Sequence, residues 1–289
     1  MNNHAFLNEQ RRKTLTAVAH FRMLTVKQAI KLGLSKSETS IRDHGFQPLE
    51  RFGCTGFIQG AKWLPKIHYM KAKGAKLLED EYELEPGTLH FYRNPPALSE
   101  LRTRHRIAQV DFQIGFKLWC HHQGAQAVFE AQDFHNDPTK KEGFLSATQV
   151  QIEAVGLSRN FIPDGVFIAE KAGVTRIYVL EVHRTTQTQF TRNQIENYLN
   201  ALTTGAIEDK FDLKVNPFVC SVHHLPNVLE GTKAHLRSLP DFRHFYEFFV
   251  FNTMEQIGQD FYQGWTYADG KPAHPFERPA TLNELPLFS

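Results

Sequence analysis

Apolar and polar residues follow two different periods along this chain, one typical of helices and the other typical of strands. Near the N-terminus, Leu15, Val18 and Ala19 fall at helical spacing within a polar segment, which predicts an amphipathic helix. Residues 161–185, FIPDGVFIAEKAGVTRIYVLEVHRT, instead form two runs rich in β-branched and aromatic residues around a short glycine turn. Such runs predict a β-hairpin. The chain therefore combines helical and strand-forming regions.

Residues 1–85 are predicted to contain three helices, a hairpin and a fourth helix. Thr25, and either Ser35 or Ser37, precede helical segments, and residues of these types cap helix N-termini. The segment CTGFIQGAKWLPKIHYM places glycines and a proline between β-forming residues, which predicts two short strands joined by a loop. This order resembles the winged helix-turn-helix. The resemblance implies a third helix in the DNA major groove and a hairpin against the phosphate backbone.

The resemblance assigns DNA contacts to polar residues of the third helix and of the hairpin loop. These residues are Thr39, Ser40, Arg42, Lys62 and Lys66. The two lysines lie near Trp63, an arrangement suited to a phosphate backbone, whereas the third helix also carries acidic side chains. The alternative is a small helical domain that packs against the rest of the protein or mediates dimer contacts.

The proline-rich segment 86–98 has no steady period and is predicted to be a linker. From residue 99 to residue 268 the pattern predicts the order α-β-β-β-α-β-α, and residues 269–289 are predicted to form an extended tail. This order is typical of a mixed sheet with helices on both faces. The expected fold class is therefore α/β (α+β), with a separate N-terminal helical domain.

The hairpin brings three polar residues together if its turn lies at Ala172 and Gly173. Glycine in a two-residue loop supplies the positive φ that such a turn requires. Residues equally distant from the turn then face each other, which places Asp164 opposite Glu181. Facing side chains of an antiparallel pair share a face of the sheet, and His183 lies on that face too because strand side chains alternate. Two carboxylates and an imidazole are therefore expected at one end of the sheet.

Two facing carboxylates repel each other unless a proton or a cation lies between them. Oxygen-rich clusters of this kind suit Mg²⁺ or Mn²⁺, which keep several waters and bind phosphate well. Such a metal lowers the pKa of a bound water and polarises a phosphoryl group. The alternative is the solvated rim of an ordinary sheet.

Pro163-Asp164, a hairpin and Glu181-Val182-His183 resemble the PD-(D/E)xK nuclease motif, with histidine in the position of the usual lysine. The resemblance implies an αβββαβ core with a restriction-endonuclease-like fold, in which Asp164 and Glu181 are metal ligands and the Val182 carbonyl is a further one. His183 would take the place of the lysine that orients the attacking water. Neutral imidazole supplies a base near pH 7, whereas lysine supplies a fixed positive charge. The pattern therefore leaves open whether the site is active.

A longer resemblance rests on Arg104-His105 in a long helical segment, on PDGVF and on YVLEVHRTTQ. Together with the N-terminal helices, these segments resemble the replication-relaxation family of plasmid and mobile-element proteins and the related MobC-type mobilisation relaxases. The resemblance implies binding to double-stranded DNA at a plasmid origin and metal-dependent nicking of one strand. The alternative is a DNA-binding regulator of replication or transcription with an inactive nuclease-like domain.

Further residues near the motif are candidates for the same site. Glu130, on the predicted strand before the hairpin, is a candidate additional metal ligand. After the hairpin, Arg184, Arg192 and Gln194 belong to a polar, basic segment suited to DNA. Tyr198 shares a helix face with Gln194 because it lies one turn further on. This tyrosine is either a packing residue or a covalent nucleophile.

Composition narrows the setting in which such a protein works. Of the 289 residues, 41% are hydrophobic and 22% are charged, and the net charge is +2, values typical of a soluble globular protein. The three cysteines lie far apart, which argues against a disulfide framework and fits a reducing cytosol. No segment is apolar over the length of a membrane span, and the N-terminus lacks the apolar core of a signal peptide. These features predict a soluble cytoplasmic protein, and the resemblance to plasmid proteins implies a bacterial one, associated with the nucleoid or a plasmid.

The last residues, ELPLF, resemble the short peptide by which bacterial replication and repair proteins bind the sliding clamp, with Glu284 in place of the usual glutamine. Leu285, Leu287 and Phe288 are apolar side chains on a predicted extended end, where exposure is costly unless a surface receives them. The alternative is that they dock into a groove of the same protein.

Overall fold

The computed structural model describes residues 6–93, 95, 97–132, 150–154 and 157–278. The described residues up to Ile114 belong to one compact unit, and those from Gly115 onward belong to a second. None of the helices in these ranges has the length and apolarity needed to cross a membrane.

Short helices and a three-stranded sheet make up the first unit. In chain order its elements are α1 (Glu9–Phe21), β1 (Met23–Leu24), α2 (Val26–Lys31), α3 (Glu38–Ser40), a π-helical turn (Ile41–Phe46), α4 (Gln47–Arg51), β2 (Thr55–Ile58), β3 (Ile67–Met70), α5 (Ala72–Glu81) and the first part of α6 (Glu100–Gln123). The strands pair antiparallel in the order β1-β3-β2. The order of helices and of the β2–β3 hairpin follows the predicted one, and β1 is an additional strand.

Polar caps account for two of the helix starts in this unit. The Thr25 hydroxyl accepts a hydrogen bond from the Gln28 amide at 3.2 Å, and the Gln28 side chain accepts one from the Thr25 amide at 2.9 Å. These reciprocal bonds form a capping box, which satisfies two backbone donors at once. Ser37 caps α3, since its hydroxyl accepts from the Ser40 amide at 3.1 Å.

Part of the segment predicted as a linker packs against this unit. The Tyr92 amide donates to the Met70 carbonyl at the end of β3, at 3.0 Å. Tyr92 and Leu98 also pack on the apolar cluster that contains Met23 and Tyr69. The prolines in this segment therefore do not prevent it from covering the sheet of the first unit.

A five-stranded mixed sheet forms the centre of the second unit. Its strands are β4 (Gln126–Gln132), β7 (Gly165–Lys171), β8 (Val174–His183), β9 (Phe218–His223) and β10 (Phe249–Thr253), and a separate hairpin consists of β5 (Val150–Ala154) and β6 (Leu157–Phe161). The helices are the last part of α6, α7 (Thr188–Thr204), α8 (Ala206–Phe211), α9 (Pro226–Ser238) and α10 (Met254–Gln259), with 3₁₀ turns at Pro240–His244 and Tyr246–Phe248. The strand order is β10-β9-β8-β7-β4.

The directions of the strands follow from their connections. Strand β7 is antiparallel to β4 and β8, whereas β8, β9 and β10 are parallel to one another. A two-residue turn joins β7 to β8, while α7 and α8 form the crossover that parallel β8 and β9 require. The predicted order contains neither β10 nor the β5–β6 hairpin.

Helices cover both faces of the sheet, as the sequence predicts. On one face, apolar residues of four neighbouring strands pack against α7 and α9. On the other face, Phe116 of α6 contacts Phe167 and Tyr178, with ring centroids 5.1 and 5.7 Å away. The expected class, a mixed sheet flanked by helices, is therefore confirmed.

An ion pair inside the first unit provides a test of its packing. The Lys31 ammonium lies 2.9 Å from an Asp111 carboxylate oxygen, and the Asp111 side chain is buried. Burial raises the pKa of Asp111, and the Lys31 charge opposes that rise. The carboxylate therefore depends on Lys31 for compensation of its negative charge.

We expect Lys31→Met to lower the free energy of unfolding by about 3 kcal/mol or more at pH 7, because it leaves a buried charge unpaired. The loss should shrink as the pH falls through the raised pKa of Asp111, since the protonated carboxyl needs no cation. Urea unfolding at several pH values measures both effects, with Lys27→Met, at an exposed position of the same helix, as the control. An equal loss in the two variants would contradict the expectation.

Candidate functional site

The turn between β7 and β8 lies at Ala172 and Gly173, which have φ values of 51° and 77°. Gly165 pairs with Leu180 and Lys171 pairs with Val174, which is the register that the sequence predicts. Glycine and a tolerated left-handed residue are what a two-residue hairpin loop requires. The hairpin prediction is therefore confirmed residue by residue along the strands.

Asp164 lies immediately before β7, and the same register extended by one residue places it opposite Glu181. Its carboxylate Oδ2 accepts a hydrogen bond of 2.7 Å from the Val182 amide. Pro163 has no N–H to donate, so the strand ladder ends here, and the Asp164 side chain satisfies the next amide of β8 instead. The acid is thus attached to the backbone of the strand that carries Glu181.

Glu181 is a buried carboxylate whose two oxygens both accept hydrogen bonds from α7. The Tyr198 hydroxyl donates to Oε2 at 2.6 Å, and the Gln194 amide nitrogen donates to Oε1 at 2.7 Å. Gln194 and Tyr198 are one helical turn apart, which brings both to the same side of α7. Short bonds to an ionised acceptor are among the stronger hydrogen bonds in proteins. The carboxylate is therefore held in one orientation.

Tyr198 acts in this structure as a donor to Glu181. Burial, followed by the negative charges of Glu181 and Asp164, raises the pKa of its phenol well above the ordinary value. A covalent nucleophile needs the opposite shift, toward the phenolate. Of the two roles considered for this tyrosine, the structure favours the packing residue, which here also donates a hydrogen bond to Glu181.

His183 is 2% exposed, and both of its ring nitrogens have hydrogen-bond partners. Nδ1 lies 3.2 Å from the Gln194 side-chain oxygen, and Nε2 lies 3.0 Å from the Ser221 hydroxyl. A residue that orients an attacking water must have a nitrogen available to that water. The role expected from the lysine position of the motif does not fit this geometry, because His183 is buried and linked to protein groups on both sides.

Ser221 and His223, both on β9, extend this network, and sequence analysis did not identify either of them. The parallel register aligns Glu181 with Ser221 and His183 with His223. The His223 Nε2 lies 2.9 Å from the Ser221 hydroxyl, and the two imidazole rings are 4.4 Å apart at their centroids. The available signal was the alternation in FVCSVH, where polar residues occupy two positions of an otherwise apolar strand.

Glu130 is not part of this cluster. It pairs with Phe167 across β4 and β7, so it lies on the face opposite to Glu181. There its carboxylate forms an ion pair of 2.7 Å with Lys117 of α6. The expected additional metal ligand is therefore a structural acid, and a shift of register in β4 at Ala127 and Phe129 contributes to this placement.

The donors gathered at this end of the sheet are oxygens. Asp164 and Glu181 supply carboxylates, and the Val182 carbonyl faces the same edge as its amide because both groups of a strand residue point to one side. Hard divalent cations prefer such donors and complete their shell with water. Within the part of the chain that the structure describes, no group of three or more His, Cys, Asp or Glu side chains has the arrangement of a metal site. The donor set therefore fits a cation that keeps several waters.

The candidate DNA-binding residues are exposed or half-buried. Arg184 is exposed directly after β8, and Arg192 is half-buried on α7. In the first unit, Thr39, Arg42, Lys62 and Lys66 are exposed and Ser40 is half-buried. The Arg42 guanidinium lies 3.7 Å from Glu38, and the Lys66 ammonium lies over the Phe57 ring at 3.7 Å.

The residues of the predicted clamp-binding tail, Leu285, Leu287 and Phe288, fall outside the described residues.

The chain is similar in structure to a solved restriction endonuclease, while its sequence matches no known family. No protein family matches the sequence, and no curated protein matches it either. The structure is similar to that of the restriction endonuclease FokI, with a TM-score of 0.31 and 12% sequence identity over 86% of this chain. The matched region spans 43% of the FokI chain, which is less than half of it. The mixed sheet with helices on both faces is consistent with a restriction-endonuclease-like fold.

Tyr198→Phe tests how strongly α7 supports the buried carboxylate. The change keeps the ring and removes the hydroxyl that donates to Glu181, so we expect the free energy of unfolding to fall by about 1.5–3 kcal/mol, the range for bonds to charged groups. Tyr178→Phe is the control, because that buried hydroxyl has a neutral acceptor, the Pro275 carbonyl at 3.4 Å, and its charged neighbour, Arg176, is not an acceptor. Denaturant unfolding measures both variants. Equal losses of unfolding free energy would show that the bond to Glu181 contributes no more than a bond to a neutral acceptor.

Proposed function

We propose that this protein is a metal-dependent endonuclease that cleaves a phosphodiester bond of DNA. The observation that carries the proposal is the facing pair Asp164 and Glu181, held at the end of β8 by the hairpin register and by the Val182 amide. Asp164 satisfies the Val182 amide, but that hydrogen bond does not require a second carboxylate opposite it. Their repulsion is relieved by a cation between them.

Mg²⁺ or Mn²⁺ is the proposed cofactor, and Asp164, Glu181 and the Val182 carbonyl would hold it. Such an ion supplies Lewis-acid stabilisation of the phosphoryl group and lowers the pKa of a bound water. The protein contributes orientation: Gln194 and Tyr198 fix both oxygens of Glu181, and the Val182 amide fixes Asp164. Supporting hydrogen bonds of this kind raise the affinity of metal sites.

The first unit is the proposed site of DNA binding, as a winged helix. Its helical run 38–51 presents Thr39 and Arg42 to solvent, and the β2–β3 hairpin presents Lys62 and Lys66 on either side of the exposed Trp63. Cations at the surface of such a hairpin suit phosphate oxygens, which position a protein without reading sequence. Arg184 and Arg192 would add phosphate contacts near the carboxylates.

The proposed setting is the nicking of double-stranded DNA at a plasmid or mobile-element origin, in mobilisation or replication, in the cytoplasm. It rests on the resemblance of PDGVF and YVLEVHRTTQ to replication-relaxation proteins and MobC-type relaxases. Contact with the sliding clamp through residues 285–288 stays a prediction of the sequence.

A second function is favoured by one observation of its own. His183 is buried, and its two ring nitrogens bind Gln194 and Ser221, so the side chain in the lysine position does not present a nitrogen to a water. A DNA-binding regulator of replication or transcription that retains the fold without cleavage accounts for this. The two functions share the DNA-binding surface and differ in the fate of the bound strand.

Nicking of supercoiled plasmid in Mg²⁺ or Mn²⁺ separates the two functions. We expect the wild-type protein to convert supercoiled plasmid to open circles, and Glu181→Gln and Asp164→Asn to lose at least about 100-fold in rate, as removal of a group that stabilises transition-state charge does. Glu170→Gln, at an exposed position of β7, is the matched control and should retain the wild-type rate. If wild type and Glu181→Gln give the same background, the protein is not a nuclease of this kind.

The salt dependence of DNA binding tests the surface of the first unit. Loss of two phosphate contacts in the double variant Lys62→Ala and Lys66→Ala should reduce the slope of log K against log [salt] by about 1.8. Lys76→Ala, at an exposed position of α5, should leave the slope unchanged. Gel shifts on duplex DNA between low and moderate salt measure this slope. An unchanged slope in the double variant would show that the hairpin does not contact DNA.

A further inference from the structure

We propose that Ser221 and His223 are positioning residues of the candidate site. They hold the His183 ring in its Nδ1–H tautomer, and that tautomer orients the Gln194 side chain toward Glu181. The inference rests on the proposed function in one respect, because the carboxylate that this network serves is a proposed metal ligand.

The direction of the hydrogen bonds in the intact network can be read from its carboxylate end. Glu181 in its ionised form only accepts hydrogen bonds, so the Gln194 group at 2.7 Å from Oε1 is the amide nitrogen. The amide oxygen then faces His183 Nδ1 at 3.2 Å and also only accepts. Nδ1 must therefore carry a proton.

The Ser221 hydroxyl continues the same direction. It lies between the Nε2 atoms of His183 and His223, at 3.0 and 2.9 Å, and has a single proton to donate. In a neutral His183 with the proton on Nδ1, Nε2 is an acceptor. Ser221 then donates to His183 and accepts from the His223 Nε2–H.

The state of His223 agrees with this assignment. Burial above all, and the nearby charge of Lys233, hold the pKa of His223 well below its usual range, so the ring is neutral at pH 7. Its Nδ1 has no hydrogen-bond partner among the described residues. Reversing the network would leave the His223 Nδ1–H without an acceptor among the described residues and, in a neutral His183, would set the Nδ1 lone pair against the Gln194 oxygen.

A purely structural strand would not require these two side chains. Val219, Ser221 and His223 alternate onto the same face of β9, and Val219 joins the apolar core there. At the next two positions the strand instead carries polar groups in register with Glu181 and His183. On this face, β9 changes from apolar to polar residues where it runs beside Glu181 and His183. Ser221 and His223 are therefore part of the site.

Ser221→Ala and Cys220→Ala form a matched pair for the test. Both replace a fully buried β9 residue by alanine with loss of one heavy atom, on opposite faces of the strand. Two-dimensional ¹H–¹⁵N spectra of the imidazole rings report which nitrogen carries the proton. We expect wild type and Cys220→Ala to contain His183 as the Nδ1–H form and His223 as the Nε2–H form, and Ser221→Ala to shift His183 to a tautomer mixture.

Binding of Mn²⁺, measured by calorimetry without DNA, gives the second readout. Loss of a supporting hydrogen bond around a metal ligand costs about 10-fold in affinity or more, so we expect Ser221→Ala to bind Mn²⁺ about 10-fold more weakly than Cys220→Ala. A wild-type His183 protonated on Nε2 overturns the inference before any variant is made. The inference also fails if Ser221→Ala keeps the wild-type tautomer, or if wild type binds Mn²⁺ and Ser221→Ala, despite a changed tautomer, binds it as tightly as Cys220→Ala does.

The two proposals fail in different ways. If wild type binds no Mn²⁺ and nicks no plasmid, the proposed nuclease function is wrong, and the tautomer of His183 in wild type and in Ser221→Ala still decides whether Ser221 and His223 position it. If wild type nicks plasmid and Ser221→Ala behaves as Cys220→Ala in every readout, the nuclease stands and the positioning role does not.

Discussion

The two-residue turn at Ala172 and Gly173 sets the register of the β7–β8 hairpin, and the polar site depends on that register. A shift by one residue would turn every side chain of β8 to the other face of the sheet. Glu181 and His183 would then lie on the face of Phe116 and Phe167 instead of facing α7. The positive φ at both turn positions is therefore a requirement of the site as much as of the strand connection.

Burial makes the network around Glu181 sensitive to the loss of any member. A carboxylate removed from water is stable only when hydrogen bonds or charges compensate it, and here Gln194 and Tyr198 bind its two oxygens. Partly satisfied polar networks are worse than apolar cores, whereas fully satisfied ones specify a single arrangement. The hydrogen bonds among Gln194, His183, Ser221 and His223 thus contribute to the uniqueness of the fold as well as to the geometry of the acid.

Local rules were sufficient for the part of the site that lies within one hairpin. The turn residues and the alternation of strand side chains determine that Asp164 faces Glu181 with His183 beside them, and helical spacing determines that Gln194 and Tyr198 act together. Ser221 and His223 lie beyond those rules, because their place depends on the parallel pairing of β8 with β9 across a crossover of two helices. Glu130 was misplaced for a similar reason, since the irregular register of β4 moves its side chain to the face of Lys117. Burial of His183, which changes its role, results from packing by α7 and is invisible in the local pattern.

The histidine in the lysine position is matched to its neighbours. A lysine at position 183 would carry three donors and no acceptor, so it could bind the Gln194 oxygen but would itself offer no acceptor to the Ser221 hydroxyl. Imidazole supplies one donor and one acceptor on opposite sides of a rigid ring, which is what Gln194 and Ser221 require. These two complementary partners lie on separate elements, α7 and β9. His183 is therefore better explained as one part of a hydrogen-bond network that converges on Glu181, and any chemistry at Asp164 and Glu181 would need a water-orienting group from outside position 183.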